Sequence, residues 1–147
     1  MLAQTYARTY RSNAVLTASP GQLVLMMYDG VLKSLALAQD AFQQPAENVQ
    51  RIELINRHLL KAQSIISELQ GTLNFDAGGE IARTLHRLYD YHNRRLFEAN
   101  LKKQVAPVIE VERLVRELRD GWAEMLSKHD GSTPTAPRPT ASLAVAS

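Results

Sequence analysis

The sequence predicts an all-α protein, an antiparallel up-down-up-down four-helix bundle with an N-terminal arm and a disordered C-terminal tail. Three observations carry this. Apolar residues recur at alternating steps of three and four along four stretches, each roughly 20 to 27 residues long, which is the helical period. Short breaks holding Pro45, Gly78-Gly79 and Pro107 separate the stretches, and short connections set sequential helices antiparallel. No segment of useful length alternates with the period of a strand. At 147 residues the chain is long enough for one domain with a real core. The expected division is an arm over 1–18, a bundle over 19–129 and a tail over 130–147.

The first helix is expected over 20–42. Ser19-Pro20-Gly21-Gln22 is its start signal: Ser19 accepts from the third helical N–H, Gln22 reaches back to the N–H of Ser19, and Pro20 fills the first helical position. The second helix is expected over about 46–70. Ile52, Ile55, Leu59, Ala62, Ile66, Leu69 and Leu73 form its inward line, and Gly71 is placed as a left-handed C-cap. The third is expected to begin near Gly79 or Glu80 and end near Val105, before Pro107. Ile81, Leu85, Leu88, His92, Arg95 or Leu96, and Ala99 lie along one line of it. The fourth is expected over 107–128, turning Val108, Val111, Val115, Leu118, Trp122 and Met125 inward. Glu110 and Glu112 suit its positive end and Lys128 its negative end. The last 18 residues hold three of the chain's six prolines among Ser, Thr and Ala, the composition of a disordered tail.

Composition narrows the function classes. Without cysteine there are no disulfides, thiolate metal sites or cysteine nucleophile. The longest apolar run, Leu23 to Tyr28, is far short of a membrane span, so no membrane insertion is expected and a cytoplasmic location is the default. The residues three before His58, His86, His92 and His129 are Ile55, Arg83, Tyr89 and Leu126, so the Glu-x-x-His pattern of metal-binding bundles is missing. No phosphate loop or nucleophile motif occurs, and no enzyme activity, metal or cofactor is expected. A basic run at 83–103 carries Arg83, Arg87, Arg94, Arg95, Lys102 and Lys103. The net charge is only +2 and the fourth helix is rich in acids, so no nucleic acid is expected as a partner.

What remains is surface for protein. On the first helix Gln22, Asp29, Lys33 and Asp40 make one narrow polar stripe, and most other positions are apolar or small. Each helix of a four-helix bundle keeps a solvated side, so part of this apolar surface is expected to meet the arm or another chain. Met26-Met27 suit an adaptable face. Tyr89 and Tyr91 lie about 200° apart on an ideal helix, so one is expected inside with its hydroxyl paired and the other outside; Arg94 and Arg95 likewise diverge. Patterning alone also leaves open a generic helical scaffold with some other protein partner.

Several pieces of sequence occur in the order of a known family: Tyr10 and Asn13, Thr17 to Val24, Tyr28-Asp29-Gly30, Gly78 to Ala82, Leu88 to Tyr91, Arg94-Arg95-Leu96, Ala99-Asn100, and Leu118 to Trp122. The chain resembles the FliS flagellar secretion chaperones over roughly residues 6–126. The resemblance implies a small cytoplasmic bundle that binds the disordered C-terminal region of flagellin, blocks its premature polymerisation and helps deliver it to the flagellar type III export gate. It also implies an arm that lies over part of the binding groove, and a monomer or weak dimer. The partner-binding residues expected on this basis are Tyr6, Tyr10, Val15, Leu16, Leu25, Met26, Tyr28, Asp29, Leu32, Tyr89, Tyr91, Arg94, Arg95 and Asn100.

Overall fold

Four helices account for the fold seen in the computed structural model, which describes residues 17–131. They are α1 (Pro20–Phe42), α2 (Arg51–Gly71), α3 (Phe75–Lys102) and α4 (Ala106–Gly131), with no strand among the described residues. The arm up to residue 16 and the tail from 132 lie outside the described residues.

Residue pairs fix the arrangement. Gln63 meets Asn93, Gln70 meets His86, and Asn56 meets Lys103 across α2 and α3. Arg95 meets Glu110 across α3 and α4. Trp122 meets Gly21, Asp29 meets Arg119, and Gln39 meets Glu112 across α4 and α1. Across α2–α3 and across α4–α1 the numbers rise on one side as they fall on the other, so these neighbours run antiparallel. Each helix packs on two others in the ring α1–α2–α3–α4. The inward stripes meet in one core, with Val31, Leu35, Ile55, Leu59, Ile66, Leu96, Val108, Val111 and Val115 buried at its centre.

α1 forms as its start signal dictates. Ser19 Oγ accepts from the N–H of Gln22 at 3.2 Å, and Gln22 Oε1 accepts from the N–H of Ser19 at 3.0 Å. Other boundaries move. α2 begins at Arg51, not 46: residues 45–50 turn twice instead, through Asn48 N–H to Pro45 O and Arg51 N–H to Asn48 O. Gly71 is not a left-handed cap. It stays helical, and the chain leaves through Thr72, whose hydroxyl donates to Leu69 O.

α3 starts three residues before the glycine pair, because Asn74 Oδ1 caps the N–H of Ala77 at 3.0 Å. The expected start at Gly79 is a kink, with φ 51° and ψ −124°, a conformation that disfavours any residue with a Cβ. α3 stops at Lys102 rather than near Val105. Lys103 adopts the left-handed conformation, and its ammonium is tied to Asn56 and Asn100. α4 continues to Gly131, two residues into the expected tail. Ile52 and Ile81, placed on inward lines by periodicity, are 46% and 37% exposed. Ile52 sits in the first turn of α2, and Ile81 lies on the rim of a groove described below.

Candidate functional site

The apolar excess of α1 opens onto a groove. Leu23, Met26, Met27 and Gly30 of α1 face Lys61, Ser64, Ile65 and Glu68 of α2 around a cavity of about 470 Å³. Gly30 sets its depth: a Cβ there would lie 3.2 Å from Ile65 Cδ1, so its absence lets α1 settle close to α2. A methionine pair on one wall and a charge of each sign on the other suit an amphipathic segment whose apolar side chains vary.

A second groove lies between α3 and α4. Ile81 and Leu85 face Leu118, Gly121 and Met125, with Tyr28 and Trp122 among the lining, around about 240 Å³. Trp122 is anchored by its indole N–H, which donates to Gly21 O at 2.8 Å. Gly21 permits this approach, since a Cβ there would meet Leu126 Cδ2 at 2.7 Å.

Between the two grooves runs a polar seam inside the core. Tyr28 of α1 and Tyr89 of α3 are 2% and 1% exposed, and their hydroxyls meet at 2.6 Å. Burial is the main reason both phenols have raised pKa values, so both remain protonated and one hydroxyl donates to the other. One helical turn along α3, His92 is fully buried with neither ring nitrogen bonded, lying 6.3 Å from the rings of Tyr89 and Tyr91. Burial pushes its pKa down to about 4, which leaves the imidazole neutral at pH 7.

The α3–α4 seam is closed by charge. Glu110 accepts from the Tyr91 hydroxyl at 2.7 Å and from Arg95 Nε at 2.7 Å, while Arg95 also pairs with Glu98 at 2.8 Å. The Tyr91 bond, then the Arg95 bond, hold the Glu110 carboxyl below its usual range, and the same carboxylate raises the Tyr91 phenol.

The expected partner-binding residues therefore fall into distinct places. Met26 lines the α1–α2 groove, and Leu25 packs partly buried against the core on the other flank of α1. Tyr28, Leu32 and Tyr89 are buried between helices, with Tyr28 at the inner wall of the α3–α4 groove. Asp29 is exposed and paired with Arg119 Nε at 2.8 Å. Tyr91 and Arg95 belong to the α3–α4 network; Arg94 is exposed, its guanidinium 5.9 Å from the Tyr91 ring centre. Asn100 bonds Lys103 at the α2–α3 seam. Tyr6, Tyr10, Val15 and Leu16 lie outside the described residues. Sequence reasoning missed the α2 wall of the first groove and the α3–α4 groove; the signal available was the spacing of Lys61, Ile65 and Glu68, which share a helix face. Among the described residues no group of three or more His, Cys, Asp or Glu could hold a metal ion, and no helix is long and apolar enough to cross a membrane.

A family model described as "Flagellar protein FliS" matches residues 2–129. The chain belongs to the FliS family. It is 39% identical over 126 residues to the flagellar secretion chaperone FliS of Bacillus subtilis (strain 168), which covers 86% of this chain and 90% of that protein. The FliS chaperone of Escherichia coli (strain K12) is 38% identical over 124 residues, covering 84% and 88% of the two chains. The FliS chaperone of Salmonella typhimurium is 36% identical over 126 residues, covering 85% and 90%. Two family pieces far apart in sequence, Tyr28-Asp29-Gly30 and Leu88 to Tyr91, meet in the core through the Tyr28–Tyr89 pair.

Proposed function

We propose that this chain is a cytoplasmic export chaperone that binds the disordered C-terminal region of flagellin, prevents its premature polymerisation and helps deliver it to the flagellar type III export gate. The observation that carries this is the open α1–α2 groove, with its methionine wall, in a chain whose relatives are flagellar secretion chaperones. Tyr6, Tyr10, Val15 and Leu16 of the arm cover apolar surface when flagellin is absent, and flagellin displaces or repositions them. Covering about five apolar side chains yields on the order of 10 kcal/mol gross. Ordering the client takes back roughly 2–5 kcal/mol, and association entropy takes more. The balance lies between micromolar and nanomolar affinity, tight enough to hold and weak enough to hand over.

Calorimetric titration with the C-terminal segment of the cognate flagellin tests this. Saturable binding is expected, and no heat at tens of micromolar would overturn it. Tyr10→Ala is expected to change that affinity more than it changes thermal stability.

A further inference from the structure

Where α3 stops, the bundle carries a patch that the α1–α2 groove does not account for. Leu60 of α2 and Phe97 and Leu101 of α3 are 59%, 61% and 71% exposed, and they line one groove of about 420 Å³ with Asn56, Asn100 and Lys103. Three large apolar side chains gathered this way exceed the scattered exposure of an ordinary surface.

The polar end of the groove is a cation held by neutral groups. Lys103 Nζ donates to Asn56 Oδ1 at 2.5 Å and to Asn100 Oδ1. No carboxylate of the described residues pairs with it, whereas Lys102 beside it pairs with Glu98. Burial, and then the like charge of Arg51, lower its pKa, as expected of an ammonium lacking a counter-ion. Its backbone is left-handed at φ 52° and ψ 51°, and it is the one non-glycine residue with positive φ among those described. Two of the ammonium protons are used, and the third remains. With their oxygens turned to Lys103, Asn56 and Asn100 also keep amide N–H groups to donate. The groove therefore offers donors at one end and hydrocarbon along the rest.

We propose that this groove binds a carboxylate-bearing apolar segment of the client protein, with the carboxylate on Lys103 and the apolar side chains over Leu60, Phe97 and Leu101. The assignment rests on the client-binding function proposed above and adds to it an anchoring point on the α2–α3 flank. A second copy of this chain docked groove to groove fits poorly, because the lining (Asn56, Leu60, Gln63, Phe97, Asn100, Leu101 and Lys103) offers no carboxylate to meet the other copy's ammonium. The chain's own tail leaves from Gly131, at the bundle end opposite Lys103, and would have to run back along the whole bundle.

The test titrates the C-terminal segment of the cognate flagellin into the full chain and its variants at low and high salt. Lys103→Gly keeps the left-handed conformation and removes the ammonium, so it should melt no lower than the wild type. It is expected to bind about tenfold more weakly, with a shallower salt dependence. Phe97→Ser, an exposed position, should weaken binding several-fold without loss of fold. If the wild type binds and both variants bind equally well, the groove assignment is overturned while the chaperone function stands. If the wild type does not bind at all, the chaperone function fails and takes the groove with it. The Leu143→Ser/Val145→Ser double variant in the tail is expected to bind as the wild type does; tighter binding would mean that the tail fills the groove, which overturns the client as its occupant.

Discussion

α3 is held on its two flanks by different chemistry. Toward α2 the bonds are made by carboxamides and no ion pair joins the two helices among the described residues: Gln63 Nε2 donates to Asn93 O, Asn93 Nδ2 to Gln63 O and to Ser67 Oγ, and Gln70 Nε2 to His86 O and to Asp90 Oδ1, while Asn56 Oδ1 accepts from Lys103 Nζ. Toward α4 the bonds converge on one carboxylate, Glu110, shared by Tyr91 and Arg95, with neutral His92 buried behind them. On the carboxamide flank the two charged groups, Asp90 and Lys103, meet only neutral side chains of α2, while the other flank rests on a carboxylate that loses its charge when a proton arrives. A bundle built this way has one seam without an ion pair and one closed by an ion pair, and the second lies along the same α3–α4 interface as the groove lined by Leu85 and Leu118.

The largest expected effect comes from His92. Its folded pKa, about 4, lies below the ordinary 6.5, so the unfolded chain takes up the proton first. Stability from this group is full above pH 6.5 and is lost as the pH falls toward 4, by about 3 kcal/mol. Urea unfolding at a series of pH values should show that slope, and His92→Leu should flatten it; an unchanged slope would place the acid sensitivity elsewhere.

The tyrosine pair comes next. Tyr28→Phe leaves the Tyr89 hydroxyl buried without a partner and should cost about 1–3 kcal/mol. Adding Tyr89→Phe removes the orphan, so the double variant should be less unstable than the sum of the singles. Additive losses would show that the bond in the core contributes nothing of its own.

Glu110→Gln should cost about 1 kcal/mol at neutral pH, a figure held down by solvent around a partly exposed pair. The Glu110 carboxyl is held below its usual range when folded. Its contribution is therefore present above the unfolded pKa and disappears as the pH falls through the folded one. Amide exchange should show α4 losing protection in acid before α2 does; simultaneous loss would erase the contrast between the flanks.

The smallest effect belongs to the carboxamide side. Gln63→Ala should cost at most about 1 kcal/mol, and equally at pH 5 and pH 8 and at low and high salt. A salt-dependent cost would contradict the neutral character of the Gln63–Asn93 contact.

Most of the fold was legible because it rests on local rules. The capping box at Ser19 fixed the start of α1 to the residue, and the three-four spacing placed Ile55, Leu59, Ile66, Val108 and Trp122 in the core. Boundaries moved where a side chain from the turn or from another helix decided them. Asn74 starts α3 early, and Asn56, distant in sequence, helps hold Lys103 where α3 stops. The surfaces were less legible for the same reason. Periodicity gives the face of one helix but not its rotation against a neighbour, so it could not show that Tyr28 and Tyr89 would meet or that Ile65 would form the far wall of the Met26 groove.

Gly79 carries a consequence of a different kind. A Cβ placed there would touch nothing within 4 Å, so space does not exclude a larger residue. What excludes it is handedness. The mirror image of φ 51° and ψ −124° is an ordinary extended conformation, so the position would welcome the D-enantiomer of alanine and resist the natural one. The orientation of the first turn of α3, with the Phe75 ring tilted against His86 at 5.6 Å, thus depends on a backbone handedness that an achiral residue accepts.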